Sequence, residues 1–210
     1  MIVFLGPPGA GKGTQSRFLK ARDSFNIFSL GEVLRGEVKK ESELGLEIKN
    51  RIKEGNFIST ELVIDIVAKN SKNLKDTIVD GFPRTVEQAL FYDKKKTMFD
   101  LPDEKLVLDL GISPENLKNR LKIRKMCSSC EAAFLPDMSY CMFCSSSDFY
   151  IREDDNLKSV EKRIENFMKE HQKLVDFYKK KGCYVLIDAD KNVEEVYSSI
   201  RSCIKDKNLL

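Results

Sequence analysis

Apolar residues fall along this chain in two alternating patterns. Near-continuous runs of Ile, Val, Leu and Phe predict strands at Ile2 to Leu5, Asn26 to Phe28, Thr77 to Val79, Lys105 to Leu110 and Tyr184 to Asp188. Between them, apolar positions recur three or four residues apart. Leu157, Val160, Ile164, Phe167, Leu174 and Tyr178 form one such stripe, and Val193, Val196, Tyr197, Ile200 and Ile204 another, each the buried face of a helix. Strands that are apolar on both faces suit a parallel sheet covered from either side. The pattern therefore predicts a three-layer α/β/α fold around a five-stranded parallel sheet. Helix starts are marked as well. Ser29 with Glu32, Thr85 with Gln88 and Asn192 with Glu195 have capping-box spacing, and Ser113 stands before Pro114.

Two segments leave this rhythm. Ser29 to Ile58 is helical, polar and punctuated by Gly31, Gly36, Gly45 and Gly55, which predicts an excursion from the sheet. Lys125 to Asp155 shows no sustained period and carries two cysteine pairs, Pro136 and the run Ser145 to Ser147, which predicts a small inserted domain.

The chain has 210 residues, 41% of them hydrophobic, enough for one buried core plus such excursions. With 36 basic and 33 acidic residues the formal charge is +3, which argues against a general nucleic-acid binder and means that an anionic partner must be held locally. The first apolar run is far shorter than the roughly 20 residues that span a bilayer, and no basic-then-apolar leader precedes it, so a soluble cytoplasmic chain without membrane contact is expected. Six cysteines are too few for a disulfide scaffold. Cys183 and Cys203 stand apart, the latter bordering a helical stripe. His171, the only histidine, lies on the apolar side of a long helix with no partner evident in the sequence, so a packed or half-buried role is expected.

The strongest chemical signal follows the first strand. Gly6-Pro7-Pro8-Gly9-Ala10-Gly11-Lys12-Gly13-Thr14 lies between a predicted strand and a predicted helix, the setting of a phosphate-binding loop. Glycines let main-chain N–H groups turn inward around an anion, the helix N-terminus adds its positive dipole end, and Lys12 brings a full charge. Gly13 stands where a metal-binding Ser or Thr usually follows the lysine, with Thr14 one position later, so magnesium must be held differently.

The form GPPGAGKGT resembles the nucleoside monophosphate kinases, and adenylate kinases in particular. Further matches run through nearly the whole chain: Ser29 to Arg35, Asp80-Gly81-Phe82-Pro83-Arg84 with Gln88, Arg120 and Arg124, Arg152 to Asp155, and Arg163. The resemblance implies a core of residues 1–28, 59–123 and 157–210, a monophosphate-binding insertion at 29–58 and a mobile lid at 124–156. It implies reversible phosphoryl transfer from MgATP to AMP, with ATP, AMP and ADP as partners. Gly9, Ala10, Gly11, Lys12, Gly13 and Thr14, with Arg120, Arg124, Phe134 and Lys191, would bind ATP. Leu30, Arg35, Asn56, Phe57, Ile58, Gly81, Arg84, Gln88, Arg152 and Arg163 would bind AMP. Lys12, Arg84, Arg120, Arg124, Arg152 and Arg163 would carry catalysis, and Asp80 would hold Mg²⁺ through water. Such chemistry offers side chains little covalent work and depends on alignment and charge stabilisation, so converging guanidinium forks fit it.

Some readings stay double. Gln88 either caps the helix begun at Thr85 or presents donor and acceptor to the edge of adenine. Phe134 either touches the donor base or fills the core of the small domain. Leu30, where adenylate kinases generally carry threonine, cannot donate to a base; Gln88 still favours AMP over the pyrimidine acceptors.

Cys127-x-x-Cys130 and Cys141-x-x-Cys144 are separated by ten residues, a spacing that lets two knuckles converge on one tetrahedral Zn²⁺. Four thiolates would close the shell, making the metal structural. Two disulfides or free thiols are the alternatives. Three functions stay in view: adenylate kinase, a kinase of another monophosphate such as UMP or CMP, and a P-loop and zinc module that binds nucleic acid. The last lacks its electrostatic footprint, since no Lys or Arg lies between Cys127 and Cys144. The architecture needs no second subunit to complete its site, and a monomer is expected.

Overall fold

The computed structural model describes residues 1–54, 58–69, 76–97, 102–122, 124–134, 138–152, 155 and 157–210. In chain order the first elements are β1 (Ile2–Leu5), α1 (Lys12–Asp23), β2 (Asn26–Ser29), α2 (Leu30–Lys39), α3 (Glu43–Lys53), α4 (Thr60–Lys69), β3 (Thr77–Asp80) and α5 (Val86–Lys95). Then come β4 (Leu106–Gly111), α6 (Pro114–Lys122), β5 (Lys125–Cys127), β6 (Ala133–Phe134), β7 (Phe149–Tyr150), α7 (Leu157–Lys180), β8 (Tyr184–Asp188) and α8 (Val193–Asp206). All five expected strands are present, with boundaries that differ by at most one residue. Every expected N-cap is made. Ser29, Thr85 and Asn192 accept from the backbone N–H three residues on, and at Asn192 the Glu195 side chain completes a reciprocal box.

The parallel sheet runs in the order β2-β3-β1-β4-β8. Val3 pairs with Val79 on one side and Val107 on the other, so β1 lies in the middle. From β1 the chain first goes to the edge strand β2, fills the gap between them with β3, then crosses to β4 and β8 on the other side. Ligands of such sheets sit beyond the carboxyl ends of the strands at that reversal, where β1, β3 and β4 end together. Because successive strand residues face opposite layers, Val3, Leu5, Val79 and Val107 join one core, with Phe82, Tyr92 and Tyr178. Ile2, Phe4, Ile78, Leu106, Leu108 and Leu110 join the other, with Phe18, Leu19, Ile200 and Ile204.

The inserted segment forms a second sheet, antiparallel, in the order β6-β5-β7. Met126 faces Ala133 on one side and Tyr150 on the other. Strands this short hold too few residues for an alternation to appear, which is why no period marks them in the sequence. Their apolar centre is Cys127, Ala132 and Cys141. No described helix is long and apolar enough to cross a membrane.

Leu108 is fully buried in the middle of β4. Leu108→Ala leaves a cavity between sheet and helices and should lower unfolding free energy by about 2–5 kcal/mol in a urea titration.

Candidate active site

The loop between β1 and α1 has the backbone its sequence asks for. Gly9 adopts φ +94°, and a Cβ there would meet Leu121 Cδ2 at 2.9 Å and Leu117 Cδ1 at 3.0 Å, so α6 packs against the loop only because a glycine stands there. Gly11 is the left-handed N-cap of α1 and no side chain caps that helix. Its first-turn N–H groups therefore point toward the loop's interior as anion donors. Lys12 Nζ donates to the carbonyls of Gly6 at 2.7 Å and Pro7 at 2.9 Å. Burial holds its pKa below the ordinary lysine value, against the pull of the Asp80 carboxylate and with the help of Arg84 and Arg124.

Around this loop lies a cavity of about 640 Å³. Its wall includes Gly9 to Thr14, Asp80 and Gly81, and all eight expected cations: Lys12, Arg35, Arg84, Arg120, Arg124, Arg152, Arg163 and Lys191. They arrive from α1, α2, the turn after β3, α6, both ends of the small sheet, α7 and the turn before α8. Arg84 shows how tightly they converge. Its pKa is lowered first by burial and then by Arg163, Arg35 and Arg152, with Asp80 opposing. Arg84 Nε donates to the Gly81 carbonyl at 2.8 Å, and a Cβ on Gly81 would lie 3.2 Å from Arg84 Nη2. Asp80 ends β3 beside the loop, its Oδ2 3.7 Å from where a side chain on Gly13 would begin.

Arg120 has a distinct place. Its Nη2 donates to the carbonyls of Ala189 at 2.8 Å and Lys191 at 3.4 Å, and its Nη1 to that of Ala10 at 3.4 Å. It straps the phosphate loop to the turn before α8. Asp190 secures the same turn by accepting from the Ser113 backbone and hydroxyl and from Asn116.

Gln88 makes a bond at the helix start and also borders a cavity. Its Oε1 accepts from the Arg84 N–H at 2.7 Å, fixing the start of α5. The same residue lines a second cavity of about 320 Å³ with Ile58, Ser59, Thr60, Glu61, Thr85 and Glu87. Ile58 borders both cavities. Leu30 does not line the main cavity: it is 1% exposed and packs in the core beneath Gly81. Asn56 and Phe57 lie outside the described residues, as does the side chain of Phe134.

The four lid thiols are gathered as their spacing requires, with all sulfurs within 4.8 Å of one another. Cys127 and Cys144 are 3.5 Å apart, Cys130 and Cys141 3.6 Å, and all are free thiols rather than disulfides. A tetrahedron of sulfurs about 2.3 Å from a metal has edges of about 3.8 Å, so the cluster matches a Zn²⁺ shell. Burial would raise the Cys127 thiol, but N–H groups of Cys130 and Ser129 and the neighbouring thiols hold it below its ordinary value.

Two groups have partners that the sequence did not show. Asp155 is the first: Arg124 donates to it through Nε at 2.7 Å and again through Nη2, and Arg163 Nη2 donates at 2.9 Å. Its side chain is 2% exposed. The sequence held it in the family stretch Arg152 to Asp155 without showing these bonds. His171 is the second. It is half-buried as expected but does have a partner, Asp109 Oδ2 at 2.6 Å, which also accepts from the Tyr184 hydroxyl at 2.9 Å. Asp109 lies 62 positions away, on a strand whose apolar run gave no sign of a paired carboxylate.

Burial alone would raise the Asp155 carboxyl, but Arg124, with Arg152 and Arg163, holds it below the usual carboxylate range. The bound form is therefore the ionised one. Its contribution to stability is complete above the unfolded value of about 4 and disappears as pH falls through the lower folded value. The stability difference between wild type and Asp155→Asn, read from denaturation midpoints, should shrink steadily below about pH 4.

A family model described as adenylate kinase matches residues 4–183. The adenylate kinase of Bacillus licheniformis is 37% identical over 213 residues, covering 97% of each chain. That of Elusimicrobium minutum is 34% identical over 216 residues, covering 99% of each, and that of Methanocella arvoryzae 33% over 215, covering 97% of this chain and 98% of its own. The cavity's cations and the loop that opens it thus sit in a chain that matches these proteins along nearly its whole length, and the chain belongs to the adenylate kinase family.

Proposed function

We propose that this adenylate kinase passes the γ-phosphoryl group of MgATP to AMP, giving two ADP, with the residues in the following roles. An oxygen of the AMP phosphate attacks the γ-phosphorus in line, the bond from that phosphorus to the bridging oxygen breaks, and ADP leaves. The observation that carries the reading is the meeting of Lys12 and six arginines on one cavity at the mouth of the phosphate loop. The loop's N–H groups and Lys12 hold the donor phosphates, with Arg124, Arg152 and Arg163 around the transferred group. Arg35 and Arg84 grip the acceptor phosphate. Arg120 and Lys191, at the turn before α8, define the donor side. Gln88 and Ile58, on the smaller cavity, frame the acceptor base, and a cavity that presents a Gln amide favours adenine over pyrimidines.

Adenylate kinases use Mg²⁺ with ATP, and we assign the holding of its waters to Asp80, a reading supported by its nearness to Gly13 in the phosphate loop. The ion neutralises part of the phosphate charge. We assign Zn²⁺ to Cys127, Cys130, Cys141 and Cys144, where it substitutes for a core that so small a sheet cannot build. Residues 29–58 act as the acceptor-binding arm and 124–156 as the lid, on the core formed by the rest. The site is complete within one chain, which supports a monomer.

Lys12→Met and Arg84→Ala should each reduce kcat by about 10³-fold with circular dichroism unchanged, since charge-neutralising cations in phosphoryl transfer are worth roughly that much. In a coupled assay AMP should be the preferred acceptor over CMP, UMP and GMP; equal turnover with CMP or UMP would move the chain to the pyrimidine kinases. Chelation, or Cys127→Ser with Cys130→Ser, should lower the melting temperature of the lid while sparing turnover at low temperature, with zinc measured on the same sample.

A further inference from the structure

Glu131 occupies a backbone position that suits glycine. Its φ is +57°, in the left-handed region that long side chains seldom adopt. Its N–H closes the turn between the first cysteine pair by donating to the Cys127 carbonyl at 2.9 Å, so the direction of its side chain is set by that turn. The carboxylate reaches from the lid to α2. Oε1 accepts from Lys39 Nζ at 2.6 Å, and Oε2 lies 3.7 Å from Arg35 Nε. Lys39 and Arg35 are four residues apart and share one face of that helix. One side chain from the lid thus engages two cations of the acceptor arm, and it also lines the cavity between them.

We propose that Glu131 is a positioning residue that couples the two halves of the site: by joining the lid to Arg35 and Lys39, it makes donor binding strengthen acceptor binding. The inference rests on Arg35 gripping the acceptor phosphate. Coupling between sites is reciprocal, so the lid's preference for the closed arrangement is read equally well from either nucleotide. Lys39 is 71% exposed, which limits the effect. An exposed ion pair accounts for about two- to fivefold, less at high salt.

The test is calorimetric titration of AMP with and without a non-hydrolysable ATP analogue, which gives a ratio of two dissociation constants. In Glu131→Gln that ratio should fall by about two- to fivefold, while the affinity of the analogue measured alone stays unchanged. Glu131→Gly should lose the same coupling yet melt no lower than wild type, because glycine relieves the left-handed backbone. Lys39→Met should lower the ratio as well, and the double variant with Glu131→Gln should lose less than the product of the two single losses. A ratio insensitive to both Glu131 variants, or losses that multiply in full, overturns the inference alone. Failure of the wild type to bind AMP overturns the acceptor assignment and this inference together.

Discussion

Nine Lys and Arg side chains line one cavity and repel one another, and the protein has to hold them there. Burial and the neighbouring guanidinium groups both work against the charge on Arg84, and burial works against that on Lys12. What holds them is a set of fixed acceptors. Lys12 bonds the Gly6 and Pro7 carbonyls, Arg84 the Gly81 carbonyl, and Arg120 those of Ala10, Ala189 and Lys191. Carboxylates hold three more, with Asp155 between Arg124 and Arg163 and Glu131 against Arg35. The field this creates is preorganised for an anion that loses and gains a bond without changing its total charge, which is what phosphoryl transfer requires.

The fold makes this assembly possible by its topology. Because β1 lies in the middle of the sheet, the phosphate loop leaves it between the ends of β3 and β4. Asp80 and Arg84 follow from β3, while Arg120 follows from β4 by way of α6. Arg35 comes from α2, Arg124 and Arg152 from either end of the small sheet, and Arg163 from α7. A phosphate loop after β1 and cations that arrive from α2, α6, α7 and the ends of the small sheet give a site assembled from distant parts of the chain.

The small sheet shows the same economy on another scale. Its apolar centre among the described residues is little more than Cys127, Ala132 and Cys141. A metal held by the four thiols would give such a segment the rigidity that burial cannot, and Arg124 and Arg152 flank that segment at either end. The turn that brings Cys127 and Cys130 together also sets the direction of Glu131. Structural stability and the reach of the lid therefore share one piece of backbone.

Much of this was legible in the chain itself. Apolar runs and helical stripes specify the strands and their covering helices because burial acts locally and with a fixed period. Gly6 to Thr14 declares an anion site because only glycines in that order permit the backbone it needs, and four cysteines at that spacing declare a cluster. The arginines were identified by their motifs, but that they share one cavity was decided by tertiary structure, which joins residues from α1 to α7. The partners of those charges were beyond reach of any local rule. Asp155 between two arginines, Asp109 beneath His171, Arg120 turned onto main-chain carbonyls, Leu30 withdrawn into the core and Glu131 reaching α2 all depend on distance in space. Sequence order carries no record of such distance until the chain has folded.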